Sequence, residues 1–431
     1  MSTTQAGVLD PQDTPGLFSE ATRRYALGLL VVVYTFNFVD RQILSILLEP
    51  IKADLLLSDS QLGFLVGFAF ALFYAVMGVP IALYADRSNR RNLIAISLAV
   101  WSAMTAFSGA AQNFWHLMLA RIGVGIGEAG CSPPAHSLIA DYYPANRRAT
   151  ALGIYSLGIP FGILFGFIVG GNLNDMFGWR VAFLVVGIPG LLLALLVRLT
   201  LREPPRGMAE GKTDEADRPS VLETFQTMWR KRAFRHLAVG GGLAAFVGYG
   251  VTSFFPSFLI RSYGMTTTEV GTWLGLILGI PGGIGIALGG YLADRYGERD
   301  TRWYLWVVSA GLLASMPLTF AVYLSSSATA SLLWFIIPVA LGNFYQATTF
   351  SQTQGLVSLR MRAVAAAVLL FILNIIGLGL GPTFVGWLSD QLEPSYGQES
   401  MRYALLAASF FNLWAAFHYF MAGRYLEADL E

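Results

Sequence analysis

Apolar stretches of about 20 residues recur from one end of this chain to the other. Each is long enough to cross the ~30 Å hydrocarbon core of a bilayer as a helix. Twelve are expected, roughly over 22–48, 60–84, 92–110, 114–139, 148–172 and 179–200, then 234–260, 268–293, 302–325, 331–357, 363–388 and 401–423. Charged residues make up 13% of the 431 positions, about half the share in a soluble domain. The expected fold is therefore an all-α membrane protein of twelve transmembrane helices in two parallel six-helix repeats, with no room for a sizeable soluble domain. Residues 1–200 form the first bundle, 201–233 a cytoplasmic linker and 234–431 the second bundle. The linker is polar and of mixed charge, and its later part, near Trp229 to Arg235, suits a short surface helix. Net charge is +1, which gives no reason to expect a nucleic-acid partner. The lone Cys131 excludes an intramolecular disulfide. Met1 to Glu20 hold Asp10, Asp13 and Glu20 but no Lys or Arg, unlike a cleavable signal peptide.

Basic residues orient the chain, because Lys and Arg accumulate in cytoplasmic loops. With both termini inside, 22 of the 28 fall on the inner side. Four fall outside (Lys52, Arg180, Arg261, Arg402), and Arg41 and Arg121 lie within spans. The expected location is a cell membrane, the bacterial inner membrane, crossed many times with both termini cytoplasmic.

The two halves echo each other. Asp86 and Arg87 follow the second span, and Asp294 and Arg295 follow the eighth, 208 positions later. Asp175 and Asp390 close the fifth and eleventh spans, 215 positions apart. Such internal repeats build many secondary transporters. Gly158, Gly162, Gly166 and Gly170 form a stripe in the fifth span, and Gly271, Gly275, Gly279 and Gly283 another in the eighth. Small residues at this spacing let helix backbones approach closely. The repeated acidic–basic loops predict an inner gate. Asp86, Arg87, Arg90 and Arg91 would work with Arg147 and Arg148, and Asp294, Arg295 and Arg299 with Arg360 and Arg362. Breaking these contacts would accompany opening inwards.

The second constraint is charge where lipid should be. Asp40 and Arg41 lie inside the first span, and Arg121 and Glu128 inside the fourth. Each such residue costs roughly 2.5–3.5 kcal/mol at membrane depth and usually marks an ion or substrate path. The first span runs outwards and the fourth inwards. Counting from their outer ends puts Asp40, Arg41 and Arg121 at similar depth, with Glu128 about 10 Å deeper along its helix. A carboxylate beside a cation stays ionised, and one that loses its cation in a low-dielectric site takes up a proton. Asp40 and Glu128 are thus candidate proton-coupling carboxylates, with Arg41 and Arg121 as partners or as ligands for an anionic head group. Which pairs with which stays open. Asn37 lies one turn before Arg41. The second half offers only uncharged polar groups at such depth: Tyr249, Asn343, Gln346, Thr349 and Asn374. A cavity charged on one wall and apolar with amides on the other suits an amphiphilic anion. His116, His136, His236 and His418 have no metal-ligand spacing, and no nucleotide motif is present. No cofactor or metal is expected.

These residues resemble the major facilitator superfamily. Its loop signature is matched by Gly290, Asp294, Arg295, Gly297 and Arg299, and in the first half by Asp86, Arg87, Arg90 and Arg91, with Ala82 and Asn89 replacing glycines. Arg121, Gly125 and Gly127 are similar to its fourth-helix signature, which the family associates with proton coupling. Asn37, Asp40 and Arg41, with Arg121, Glu128, Ala129, Asp141, Pro160 and Gly162, resemble the spinster branch, linked to lysolipid and sphingolipid export. The resemblance implies a proton-coupled, alternating-access carrier of an amphiphilic anion such as a lysolipid. Its partners would be that substrate, protons and membrane lipids, and it would act as a monomer. A carrier of a polar organic anion or drug would use the same arginines. A membrane-embedded lipid enzyme would need a nucleophile–base or metal constellation, which the sequence lacks.

Overall fold

In a computed structural model of the chain, residues 18–85, 88–206 and 220–430 are described. Among them every regular element is a helix. The first half holds α1 (Glu20–Ile46), α2 (Leu48–Leu55), α3 (Asp59–Val66), α4 (Phe68–Ala85), α5 (Arg90–Ser108), α6 (Phe114–Ala129), α7 (Ser132–Tyr142), α8 (Ala145–Ser156), α9 (Gly158–Phe177) and α10 (Trp179–Thr200). The linker helix α11 (Val221–Arg230) leads to α12 (Arg232–Tyr263), α13 (Thr267–Gly297), α14 (Trp303–Leu324), α15 (Ala328–Gly342), α16 (Tyr345–Gly355) and α17 (Arg362–Ile372). A π-helical stretch, Leu373–Leu380, joins α17 to α18 (Gly381–Tyr396), and α19 (Ser400–Ser409) and α20 (Phe411–Leu430) close the chain. The face bearing α11 is the linker face, and the opposite one, where α1 ends and α13 begins, is the far face.

Nine stretches of the described residues are long and apolar enough to cross a membrane, and Arg362–Leu430 contains the eleventh and twelfth expected spans in succession. The third and fourth expected spans are helical but fall outside those nine. The fourth carries Arg121 and Glu128 and breaks at Gly130, where Pro133 and Pro134 open α7 rather than continue α6. Proline fits a first helical turn, whose N–H groups have no partner in the helix.

The repeat is visible in how helices start. Ser58 and Gln61 form a reciprocal capping box at α3, and Thr266 and Glu269 form another at α13. Each box satisfies two amides that the first turn leaves unbonded. A third acceptor then comes from the other half. Asp390 accepts from the Asp59 and Ser60 amides at 3.0 and 2.8 Å. Asp175 accepts from the Thr268 amide at 2.8 Å and from the Thr267 hydroxyl. The two carboxylates that the sequence relates by repeat thus cap each other's halves. Negative charge at a helix N-terminus is favoured by the backbone dipoles.

The glycine stripes set the approach of helices. Cβ atoms at Gly158, Gly162, Gly166 and Gly170 would run into Tyr34, Phe38, Gln42 and Ile46 of α1. On α13 the contact with α9 loosens along the helix. A Cβ at Gly271 would meet the Phe167 carbonyl, at Gly275 it would stand 2.9 Å from the Leu164 carbonyl, at Gly279 3.5 Å from that of Pro160, and at Gly283 nothing lies within 4 Å. Across the other seam, Gly63 meets Pro382 and Gly67 meets the Gly379 carbonyl at 2.6 Å, while Gly78 meets nothing. The halves touch at the far face and diverge toward the linker face.

Gly166→Leu is expected to destabilise the first half, since its Cβ would stand 2.8 Å from Gln42 Cβ and 3.2 Å from Val39 Cα. Overpacking of this kind costs about 1–3 kcal/mol. A lowered melting temperature in detergent, with Gly283→Leu near wild type, checks it.

The linker helix has a strongly one-sided pattern. Thr224 and Met228 are buried against the second half, while Val221, Leu222, Phe225 and Trp229 are exposed. An exposed apolar face flanked by basic residues suits a helix lying in a membrane surface.

Candidate functional site

The four charges expected in the first half come together. Asp40, Arg121 and Glu128 are buried, at 2%, 3% and 1% exposure. Arg41 Nε donates to Glu128 Oε2 at 2.7 Å, across 87 positions of sequence. The Glu128 side chain has no exposure, whereas that of Arg41 keeps 14%. Counting residues put Arg41 level with Arg121 and about 10 Å from the depth of Glu128. The length of the arginine side chain closes that gap. Asp40 has Thr105, Glu128 and Arg121 as electrostatic neighbours but makes no ion pair among the described residues. Asp40 Oδ1, Arg121 Nε and Glu128 Oε1 are buried there, with Thr105 beside the Asp40 carboxylate and Asn37 beside that of Glu128.

Three aromatic residues that sequence reading missed organise it. The Phe70 ring has the Arg41 guanidinium 5.0 Å from its centroid and that of Arg121 at 5.2 Å. Phe38 and Tyr74 also face Arg41, at 5.1 and 5.0 Å. Gly125 makes this possible. A Cβ there would stand 2.8 Å from the Phe70 carbonyl, so only glycine lets α6 lie this close to α4. Gly127 does the same toward Trp101 of α5, at 2.7 Å from its amide. Phe70→Leu is expected to weaken anion binding by roughly 2–30-fold, because a cation–π interaction is worth about 0.5–2 kcal/mol. Binding measured with Phe70→Tyr as control, which keeps the ring, checks it.

The second-half candidates separate. Tyr249 packs against the apolar cores of both halves and lies in the electrostatic surroundings of Arg41. Asn37 is buried near Glu128. Asn343 donates to the Val339 carbonyl at 2.8 Å and accepts from Gln346 at 2.9 Å, both half-buried. Asn374 sits in the π-helical stretch, a kind of irregularity common at functional sites. Thr349 stands apart from the cavity set. It is fully buried, its hydroxyl is bonded to Tyr419 at 2.6 Å, and it packs on Gly241, so it serves helix packing in the second half.

Among the described residues, Arg90, Arg91 and Arg147 of the first half make no hydrogen bond or ion pair with Asp294, Arg295 or Arg299 of the second. Asp86 and Arg87 lie outside the described residues. Arg90 is buried within the first half, ion-paired with Asp141 and, at 2.8 Å, with Glu203. The Arg91 amide donates to Glu203. Arg148 reaches the Ala140 carbonyl at 3.0 Å, and Arg147 is exposed. Asp294, Arg295 and Arg299 are exposed, with Arg295 bonded to Tyr291 at 2.8 Å.

The far face is sealed by ions that sequence reading counted only as orientation outliers. Asp59, 1% exposed, accepts from Arg261 Nη1 and Nη2 at 2.7 and 2.6 Å, from Lys52 at 2.6 Å and from Ser389 at 2.7 Å. Arg261 also holds Glu49 at 2.6 Å. Arg180 pairs with Asp54, and Arg402 with Glu399 at 2.6 Å. All four expected outer cations are therefore paired. Asp54, at the exposed end of α2, has its carboxyl held below the usual range by the Arg180 guanidinium.

Residues 30–382 match the Major Facilitator Superfamily. An MFS-type efflux pump of Mycolicibacterium smegmatis is 36% identical over 410 residues, covering 94% of each chain. Protein spinster homolog 1 of Homo sapiens is 29% identical over 94% of this chain and 82% of its own. A bacterial homolog to the human lysosomal transporter spinster, solved in an inward-facing and unoccupied conformation, superposes with a TM-score of 0.88 at 35% identity, covering 96% of this chain and 99% of that one. With its halves built on repeated helix caps, glycine seams and a buried charge cluster, the chain belongs to the Major Facilitator Superfamily, as a membrane transporter related to the spinster proteins.

Proposed function

We infer that this transporter is a proton-coupled, alternating-access carrier of an amphiphilic anion, a lysolipid or sphingolipid-like molecule. Its halves are two six-helix bundles, 1–200 and 234–431, joined by a linker on the cytoplasmic side of a bacterial inner membrane. It works as a monomer, since one chain supplies both walls of the site. The conformation described is the one open to the cytoplasm, as the divergence of α9 and α13 toward the linker face supports.

The observation that carries this reading is the unequal burial of the Arg41–Glu128 pair. Arg41 retains access to the gap between the halves while Glu128 has none. An anionic head group entering that gap meets the Arg41 guanidinium among Phe38, Phe70 and Tyr74. Binding there competes with Glu128 for the same cation. A carboxylate deprived of its cation in a low-dielectric site takes up a proton, so head-group binding and proton uptake are linked. Asp40, which lacks an ion pair, is the second carboxylate on the path. The tail lies against the uncharged second half, past Tyr249, Asn343, Gln346 and Asn374. Asp294, Arg295 and Arg299, with Asp86 and Arg87, form contacts at the linker face when it closes.

A lysophospholipid and a sugar acid, competing for the purified protein, test the substrate class. Displacement by the lysophospholipid alone is expected, and displacement by the sugar acid alone would favour a polar organic anion. The relative described as an MFS-type efflux pump supports that second reading.

A further inference from the structure

Outside the transport site, two histidines that sequence reading left scattered meet. His236 of α12 and His418 of α20 lie 182 positions apart, yet their Nδ1 atoms are 2.9 Å from each other. They line a cavity of about 340 Å³ near the linker face, together with Arg232, Arg235, Val239 and Tyr425. Among the described residues, no acidic side chain lines it. Arg232 lies over the Tyr425 ring at 5.6 Å, and neither it nor Arg235 makes an ion pair among the described residues. This contrasts with the far face, where every expected cation has its carboxylate. Lys231 donates to the Asp429 backbone carbonyl and the Ala233 amide to the Asp429 carboxylate, so that carboxylate is engaged at the start of α12.

The cavity opens on the side of the protein that lipid would cover. On α20, Trp414 and Phe417 adjoin His418, with ring centroids 6.0 and 5.6 Å away, and both are 53% exposed. They lie on the side of His418 toward the middle of the membrane, since α20 runs to the linker face. On α11, the exposed Phe225 and Trp229 stack on each other at 5.5 Å, and Trp229 abuts Phe234 next to Arg232. A cationic notch therefore sits at headgroup level, with apolar surface below it and an amphipathic helix beside it.

We propose that Arg232, Arg235, His236, His418 and Tyr425 form a binding site for the phosphate headgroup of an anionic phospholipid from the leaflet at the linker face, its acyl chain lying along Trp414 and Phe417. Basic pockets between membrane helices hold such headgroups. The two arginines supply charge-assisted donors. Within the histidine pair one Nδ1 donates and the other accepts, which puts the accepting ring's proton on Nε2 as a further donor.

Native mass spectrometry of the full-length, delipidated protein tests this with phosphatidylglycerol and with phosphatidylcholine of the same acyl chains. Wild type is expected to retain phosphatidylglycerol in preference. Each arginine near a membrane surface contributes about 1 kcal/mol, so R235Q should reduce that preference about fivefold and R232Q/R235Q about 25-fold. R424Q, an exposed arginine outside the cavity, should leave it unchanged. Should the double variant fail to fold, R235Q alone carries the test. Equal retention of the two lipids by wild type, or an undiminished preference in R235Q, would overturn the proposal. So would displacement of the bound lipid by millimolar inorganic phosphate, which would mark a site for a free anion.

Discussion

Glu128→Met is expected to abolish transport and to destabilise the protein, whereas Arg41→Met/Glu128→Met is expected to recover most of the stability and none of the transport. The single change leaves the half-buried Arg41 among Phe38, Phe70 and Tyr74 with its one hydrogen-bonded carboxylate gone. Removing one member of a buried ion pair costs about 3–5 kcal/mol, while replacing both with apolar residues of similar size is often neutral. A transport step that depends on the pair loses at least about 100-fold, the factor that ~3 kcal/mol represents. Thermal unfolding and liposome uptake measured on the same three proteins separate the two effects. Transport restored in the double variant would reduce the pair to a helix clamp.

The second large effect is expected at the far face. Asp59 gathers Arg261, Lys52 and Ser389, and the turn that bears it is capped by Asp390 from the other half. Asp59→Asn leaves Arg261 and Lys52 without the carboxylate they share. A loss of about 3 kcal/mol or more in this sealed conformation shifts the balance between open and closed far faces by roughly 100-fold or more. Spin labels at the exposed Met176 and Leu324, one on each half, report that distance. Cys131 is buried and does not compete for label. A longer-distance population is expected in Asp59→Asn, and a smaller one in Asp175→Asn/Asp390→Asn, since a helix cap is worth only about 0.5–2 kcal/mol. Unchanged distances in Asp59→Asn would show that apolar packing along the glycine seams closes this face by itself.

The buried charges were legible from sequence because nothing else in an apolar helix explains an ionised side chain. Their pairing was not. Depth follows from counting residues, but helix rotation and the reach of an arginine do not, and these join Arg41 to Glu128. Phe70 and Tyr74 were invisible for a different reason. An aromatic residue in a membrane helix reads the same whether it faces lipid or a guanidinium, and only the backbone contact at Gly125 shows which. Asp175 and Asp390 stood out as a repeat, yet what they cap lies 93 and 331 positions away. Lys52 and Arg261 carried one faint signal, as basic residues on the face where such residues are rare. Thr349 failed as a cavity residue because a hydroxyl on a membrane helix satisfies itself equally well against a neighbouring helix.

The central claim is that a proton taken by the first-half carboxylates is coupled to movement of the substrate. It is tested most directly by lysophospholipid transport in proteoliposomes with and without an imposed pH gradient, for wild type, Asp40→Asn and Glu128→Gln. The expected result is transport that the gradient accelerates in wild type and leaves unaffected in both variants. Acceleration by the gradient that persists undiminished in both variants would contradict it.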